Sequence, residues 1–205
     1  MIIDLFVQTN MISAVILAAG RGERMGEPKL FLPLGGKPVL QWVLESALAA
    51  DLDEVICVSR ELESARRQID IVDERLFWLR NYAADRGQST SVIAGLWAAN
   101  AACDGVMFLC GDQPLVRPEL IDALIEKFDD TSAWIIAPSF KGEVRNPILF
   151  HRKLFPELLQ LTGDRGGRFL LDKHKRKTVL VDWPEELSFL DIDVREDYER
   201  LKQLA

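Results

Sequence analysis

The chain has 205 residues, of which 48% are hydrophobic and 28% charged, and its net charge is −7. A chain of this length builds one large domain with its own core, and the composition is that of a globular protein. No apolar run reaches the roughly 18 residues of a transmembrane helix, which argues against a membrane partner. The excess of acidic over basic residues argues against a nucleic-acid partner.

The N-terminal segment, residues 1–10, is apolar but short, with an acid at Asp4 and no basic region. We predict that it is not a signal peptide, and that residues 1–12 are an extension of a single domain over residues 13–205. Three cysteines, an odd number at wide spacings, are typical of free thiols in a reducing compartment. The sequence therefore predicts a cytoplasmic protein.

Short apolar runs alternate with helical patterns along the chain. The predicted strands are 13–17, 54–59, 76–80, 105–110, 133–137, 147–150 and 178–181. The predicted helices are 39–50, 61–71, 89–102, 118–128, 152–161, 167–173 and 194–204. Strands separated by helices of 10–14 residues indicate βαβ units. We therefore predict an α/β fold, a single-domain three-layer α/β/α sandwich around a mostly parallel sheet.

The first strand runs directly into a glycine-rich segment, residues 17–29, with the sequence LAAGRGERMGEPK. Ligands of open α/β sheets bind beyond the carboxyl ends of the strands. Glycines at that place let the backbone turn and bring its N–H groups close to phosphate oxygens. Arg21, Arg24 and Lys29 add positive charge. The spacing fits neither the Rossmann nor the Walker pattern, but the segment predicts a phosphate-binding loop.

Two acidic motifs lie at the ends of other apolar segments. Asp112, in Gly-Asp-Gln-Pro, follows the buried strand 105–110, where a carboxylate is costly unless it has a function. Asp191 and Asp193, in Asp-Ile-Asp, precede the last helix. A turn or N-cap role for Asp112 and a capping role for the second motif are the alternatives.

These motifs together resemble the nucleotidyltransferases of the molybdenum-cofactor type. Their signature is roughly L-A-A-G-x-S-x-R-M-G-x-x-K, and this chain has Gly22 in place of the serine. The Asp-Ile-Asp motif is similar to the family's Asp-Ile-Asp-Thr-Pro, although Val194 and Arg195 replace Thr-Pro. The resemblance extends from about residue 13 to the end. It implies a Rossmann-like, nucleotide-diphospho-sugar-transferase-like fold and Mg²⁺-dependent transfer of a nucleoside monophosphate.

The resemblance also implies roles for individual residues. Arg24 would hold the β- and γ-phosphates of a nucleoside triphosphate, and Lys29 would reach the α-phosphate; with Asp112 they are the expected catalytic residues. Asp112 and Asp193 would bind Mg²⁺, with Asp191 as the alternative second ligand. The expected nucleotide-binding residues are Leu17, Ala18, Ala19, Gly20, Arg21, Gly22, Arg24, Lys29, Gly87, Ser89, Ser91 and Asp112.

Three further segments resemble the parts of the family that contact the base and the second substrate. Residues 87–92 (GQSTSV) resemble the base loop, with an ordinary helix cap at Ser89 or Thr90 as the alternative. Asn146, in 145–150, is expected beside the second substrate. Asp164 and Arg168, in 163–168, are expected at its phosphate, and a simple helix-entry turn is the alternative for Asp164.

The second alanine of the first loop bears on the nucleotide. In the family, Leu-Ala-Ala-Gly accompanies cytosine and Leu-Ala-Gly-Gly guanine, so Ala19 favours CTP. The resemblance thus implies a molybdenum cofactor cytidylyltransferase, which acts on molybdopterin carrying molybdenum and serves a recipient molybdoenzyme. The alternatives are GTP, an acceptor such as a sugar or polyol phosphate, or a non-catalytic cofactor chaperone for a molybdoenzyme.

Overall fold

The computed structural model describes residues 10–20, 22 and 25–204. The strands in these ranges are β1 (Ile12–Ala18), β2 (Pro33–Leu34), β3 (Lys37–Pro38), β4 (Glu54–Ser59), β5 (Leu76–Arg80), β6 (Gly105–Cys110), β7 (Ile135–Phe140), β8 (Glu143–Val144), β9 (Ile148–His151) and β10 (Thr178–Asp182). The α-helices are α1 (Val39–Ala49), α2 (Leu62–Gln68), α3 (Ser89–Ala98), α4 (Pro118–Asp129), α5 (Phe155–Leu158), α6 (Leu170–Lys173) and α7 (Arg195–Lys202).

The central sheet has the strand order β10-β7-β9-β6-β1-β4-β5, with β8 paired to β7. The pairs β5–β4, β4–β1, β1–β6 and β7–β10 are parallel, and β9 runs antiparallel to both β6 and β7. Strands β2 and β3 form a small separate hairpin. The prediction of a mostly parallel sheet is confirmed.

Successive residues of β1 pack into two different cores. Ala14 and Ile16 belong to a cluster that includes Leu40 of α1, whereas Val15 belongs to a cluster on the opposite face that includes Val92 of α3. Side chains alternate across a strand, so an uninterrupted apolar strand needs cover on both faces. Helices supply that cover on each side, which confirms the three-layer α/β/α arrangement.

The parallel strands carry their following loops to one edge of the sheet. The chain passes from β1 outward to β4 and β5, then returns to β6 on the other side of β1. This reversal creates a crevice between the loops that follow β1 and β6, where open α/β sheets bind ligands. Leu17 and Cys110, at the ends of these strands, are partners in the register. The segments after them therefore begin side by side.

The predicted strands 54–59, 76–80 and 105–110 are confirmed residue for residue. The predicted helix 89–102 was too long, because α3 ends at Ala98 and Asn100 starts a turn in which its side chain accepts a hydrogen bond from Ala102 N. The predicted helix 152–161 was also too long, because its helical residues end at Leu158, whereas the predicted helical segment 167–173 has the expected bounds. Both are short 3₁₀ turns followed by one-turn helices.

The helices are short compared with the thickness of a bilayer. The longest in the described ranges, α4, has 12 residues, whereas a transmembrane helix needs about 20. Within residues 10–20, 22 and 25–204, no helix is long and apolar enough to cross a membrane.

Helix α3 approaches the sheet most closely at Gly95. A Cβ atom at this position would lie 2.3 Å from Val15 Cγ1 in the centre of β1. We expect Gly95→Ala to lower the free energy of unfolding by about 1–3 kcal/mol, because this overlap outweighs the gain of about 1 kcal/mol in helix propensity. Chemical denaturation measures the change, and the loss should shrink when Val15→Ala removes the opposing methyl groups. Unchanged stability of Gly95→Ala would contradict the close packing.

Candidate active site

A cavity of about 570 Å³ opens at the carboxyl edge of the sheet, at the crevice between β1 and β6. Its walls come from the loops that follow β1, β5 and β6 and from two later segments of the chain. The lining residues are Leu17, Ala19, Gly20, Gly22, Lys29, Ala84, Asp85, Gly87, Gln88, Ser91, Cys110, Asp112, Asp164 and Asp193. Ten of these were predicted site residues, so motifs that are far apart in the sequence meet here.

The glycine-rich loop forms one wall of the cavity. Gly22 has a φ of +62°, and its carbonyl accepts a hydrogen bond from Met25 N at 2.9 Å. A Cβ at Gly22 would lie 3.1 Å from the carbonyl oxygen of Glu27, so glycine suits both the conformation and the space. Lys29 then opens a 3₁₀ turn over Lys29–Phe31. The turn carries the Lys29 side chain back to the cavity.

Two predicted catalytic or phosphate-binding residues of this loop, Arg21 and Arg24, lie outside the described residues. Their roles remain predictions. Ala18 is buried beside the cavity lining.

The ammonium of Lys29 lies between the two acidic motifs. Its Nζ donates to Asp112 Oδ2 at 2.6 Å and to Asp193 Oδ1 at 3.2 Å, and the carbonyl of Ile192 accepts a third bond at 2.5 Å. Burial lowers the pKa of Lys29, but the charges and hydrogen bonds of Asp112 and Asp193 outweigh burial and hold the pKa above its ordinary value. Lys29 is therefore a cation throughout the physiological pH range.

The backbone fixes the distance between the two acidic motifs. Ile192 N donates to the carbonyl of Asp112 at 3.0 Å, and the Ile192 side chain is fully buried. Residues 191–193 are not a regular strand, but the buried Ile192 anchors Asp193 beside Asp112. Asp191 lies outside the cavity lining. Asp193 is therefore the better placed of the two predicted alternatives.

The capping alternative for Asp193 does not account for its position. The acceptor at the start of α7 is Asp197, whose Oδ2 takes hydrogen bonds from the backbone N–H groups of Asp193 and Val194. The Asp193 side chain points instead to Lys29 and the cavity.

The donor set suits a divalent cation that is bound together with a substrate. Both carboxylates lie within 3.2 Å of one atom, Lys29 Nζ, so they converge on a common point. Mg²⁺ prefers oxygen ligands and commonly takes one or two carboxylates with substrate phosphates and water. No group of three or more His, Cys, Asp or Glu side chains converges in this way among the described residues. Asp112 and Asp193 alone would therefore fit such a cation only if a bound substrate and water completed its ligands.

The part of the cavity wall that includes Ser91 is organised by Asn81, a residue that the sequence analysis missed. Asn81 follows β5 and is buried. Its Nδ2 donates to Thr90 Oγ1 and Ser91 Oγ, both at 2.9 Å, and its Oδ1 accepts from Ala83 N. Asn81 therefore orients Ser91, which lines the cavity. Its position just beyond a parallel strand was the available signal.

The predicted base loop lies against the predicted second-substrate segment. Gly87 has a φ of +105°, and a Cβ there would lie 2.4 Å from the carbonyl carbon of Gly163. Ser89 N donates to Gly163 O at 3.0 Å. The alternative, an ordinary helix cap at Ser89 or Thr90, is wrong, because α3 begins at Ser89, its N-cap position is Gln88 and no side chain caps it. The carbonyl oxygen of Gly163, rather than a capping side chain, accepts the hydrogen bond at the start of α3.

The three predicted second-substrate residues occupy different environments. Asp164 lines the cavity. Asn146 does not, but its Nδ2 donates to Cys110 Sγ at 3.3 Å, directly behind the cavity wall. Arg168 is exposed, and its guanidinium donates to the carbonyl of Val144 at 2.5 Å. The structure places Asp164 at the cavity and Arg168 on the protein surface.

Four lining residues had not been predicted: Ala84, Asp85, Gln88 and Cys110. Asp85 accepts a hydrogen bond from the Arg60 guanidinium at 2.7 Å, which ties the loop after β5 to the end of β4. Burial, reinforced by the charge of Asp112, raises the pKa of the Cys110 thiol to about 12. Cys110 therefore contributes a neutral wall to the cavity.

The chain is similar in sequence to known proteins over most of its length. Residues 14–178 match the MobA-like NTP transferase domain. The purine catabolism protein PucB of Bacillus subtilis (strain 168) is 31% identical, over 96% of this chain and 98% of its own. The molybdenum cofactor guanylyltransferase of Vibrio atlanticus (strain LGP32) is 27% identical, over 90% and 92%.

The fold of the chain is also similar to that of solved structures. The crystal structure of Rv0371c from Mycobacterium tuberculosis H37Rv superposes with a TM-score of 0.82 at 26% identity, over 95% of this chain and 98% of that one. Its complex with manganese has a TM-score of 0.74 at 28% identity, over 95% and 100%. The chain is a nucleotidyltransferase and belongs to the MobA-like NTP transferase family.

Proposed function

We propose that this nucleotidyltransferase moves CMP from CTP to the phosphate of a molybdopterin-type acceptor that carries molybdenum, with release of pyrophosphate. The observation that carries the proposal is the meeting of Lys29, Asp112 and Asp193 at one cavity. This arrangement combines a fixed cation with a carboxylate pair suited to a metal-bound triphosphate.

Each residue of the proposed active site has a separate role in the reaction. The acceptor phosphate attacks the α-phosphorus in line, and it needs no general base because a phosphate monoester is already anionic near pH 7. Lys29 stabilises the negative charge that builds on the α-phosphoryl group. Asp112 and Asp193 would hold Mg²⁺, which when bound offsets the repulsion between the two phosphate-bearing substrates. Arg24 is proposed to hold the departing pyrophosphate.

The acceptor is proposed from the relatives. The name of the Vibrio protein assigns it to the molybdenum cofactor, and its match extends over most of both chains. Asp164 at the cavity, with Asn146 behind its wall, supports an acceptor site next to the nucleotide. A recipient molybdoenzyme would take the product. Sugar or polyol phosphates are the competing acceptors.

The choice of CTP depends on Ala19, although the Vibrio relative is named a guanylyltransferase. Ala19 is buried and lines the cavity. A side chain at this position narrows the space for a purine, and glycine would widen it.

We expect pyrophosphate release to be fastest with CTP among the four common nucleoside triphosphates, and to require the molybdenum-loaded pterin. Ala19→Gly should raise the ratio of kcat/KM for GTP over CTP by about tenfold, the usual scale for one methyl group in a pocket. Ala14→Gly is the matched control, since Ala14 is buried in the strand that leads into the same loop but does not line the cavity.

Each outcome of this assay addresses one part of the proposal. A wild-type preference for GTP would overturn the choice of CTP and leave the transfer chemistry in place. Release of pyrophosphate with a sugar phosphate and no pterin would overturn the acceptor. Tight binding of a molybdoenzyme without turnover of any nucleotide would favour the chaperone alternative.

A further inference from the structure

Lys29 occupies the point at which the two proposed metal ligands converge. Its ammonium has three N–H donors, and three oxygen acceptors surround it: Asp112 Oδ2, Asp193 Oδ1 and the carbonyl of Ile192. The side chain is only 13% exposed. The donors of Lys29 are thus fully used inside the protein.

Lys29 Nζ and a divalent cation cannot both occupy this point between Asp112 Oδ2 and Asp193 Oδ1. An ammonium and a metal ion at one point would repel each other strongly. Two neighbouring carboxylates without any cation would also repel each other. A positive charge between the two carboxylates lowers this repulsion, and Lys29 supplies it in the ligand-free protein.

We propose that Lys29 is the resident counter-ion of the Asp112–Asp193 pair and leaves it only when a metal-bound nucleoside triphosphate enters the cavity. This inference rests on the proposed function, because the α-phosphate then becomes the new partner of the ammonium. It defines a binding order in which the cation and the triphosphate arrive together. The free cation binds weakly, since it must displace Lys29 without offering that group another anion.

Binding of Mn²⁺ to the full-length protein without nucleotide tests the inference, with the electron paramagnetic resonance signal of the free ion as the readout. We expect Lys29→Met to bind Mn²⁺ at least about tenfold more tightly than the wild type, and Lys29→Arg to stay weak. Lys37→Met is the matched control. It removes the same charge, but Lys37 pairs with Glu45, outside the cavity lining.

Adding Asp112→Asn to Lys29→Met should abolish the gain. Circular dichroism checks that each variant is folded, and Lys29→Gln replaces Lys29→Met if the latter does not fold. The inference is overturned if the folded neutral variant, Lys29→Met or its replacement Lys29→Gln, binds Mn²⁺ no more tightly than the wild type, or if Lys37→Met gives the same gain.

A second arm uses the wild type alone. After the Mn²⁺ that α,β-methylene-CTP binds in protein-free solution is subtracted, Mn²⁺ should bind the protein at least about tenfold more tightly with the analogue than without it, and equal affinity would contradict the coupled order. These outcomes are separable from the proposed function. Metal-dependent transfer with no gain in Lys29→Met overturns the counter-ion role alone, whereas a gain without turnover of any nucleotide overturns the proposed function alone.

Discussion

Asp112→Asn is expected to lower kcat/KM for nucleotidyl transfer by about a thousandfold while the protein remains folded. The substitution removes the charge that faces Lys29 at 2.6 Å and half of the carboxylate pair. Loss of one electrostatic group at a transition state typically costs a factor of 10²–10³, and the proposed loss of the cation adds to it. The pyrophosphate-release assay measures the change.

The fold should tolerate Asp112→Asn. The carbonyl of Asp112 still accepts the hydrogen bond from Ile192 N, and Lys29 keeps Asp193 and the Ile192 carbonyl as partners. We expect the free energy of unfolding to change by about 1 kcal/mol or less. Asp130→Asn, at the exposed end of α4, is the control. Activity within a few-fold of the wild type would remove Asp112 from the active site.

Gly87→Ala should lower stability and nucleotide binding together. Any L-residue at a φ of +105° is strained, and here the Cβ would also lie 2.4 Å from Gly163 C and 2.7 Å from Asp164 Oδ1. Strain of this kind costs about 1–3 kcal/mol, and the backbone overlap adds to it. We expect a loss of about 2–4 kcal/mol in the free energy of unfolding and a KM for the nucleotide that rises at least tenfold.

Gly142→Ala provides a matched comparison for Gly87→Ala. Gly142 has a φ of +80° in the turn between β7 and β8, but apart from its chain neighbours no atom of the described residues lies within 4 Å of its added Cβ. The control therefore carries the backbone strain without the overlap, and we expect it to cost about 1 kcal/mol with KM unchanged. Equal effects of the two substitutions on stability and KM would show that the contact of Gly87 with Gly163 has no part in holding the cavity wall.

The sequence predicted secondary structure best where a run of apolar residues is also buried in the fold. The run 105–110 is apolar throughout and ends at Gly111, and a strand buried on both faces requires such a run. The glycine-rich loop was recognisable because its glycines and charges follow a strand directly. In contrast, α3 ended earlier than its small residues suggested, since the side chain of Asn100 competes for backbone N–H groups.

The contacts between motifs could not be read from the sequence. Lys29 and Asp112 are 83 residues apart, and Lys29 and Asp193 are 164 apart, so their meeting depends on the order of strands in the sheet. Asn81 and Asp85 belong to no recognisable motif. Asp85 lines the cavity and Asn81 orients Ser91 there, because β5 lies beside β4 and ends at the same edge as β1. The sequence shows that Asn81 follows a strand, but only the tertiary structure shows these contacts.

The destination of the α-phosphate tests the central claim most directly. The protein would be incubated with the molybdenum-loaded pterin, a divalent cation and CTP labelled at either the α- or the γ-phosphorus. The account predicts that the α-label enters the acceptor and that the γ-label leaves as pyrophosphate. Transfer of the γ-label to the acceptor, or release of orthophosphate with the α-label left in free nucleotide, would contradict it.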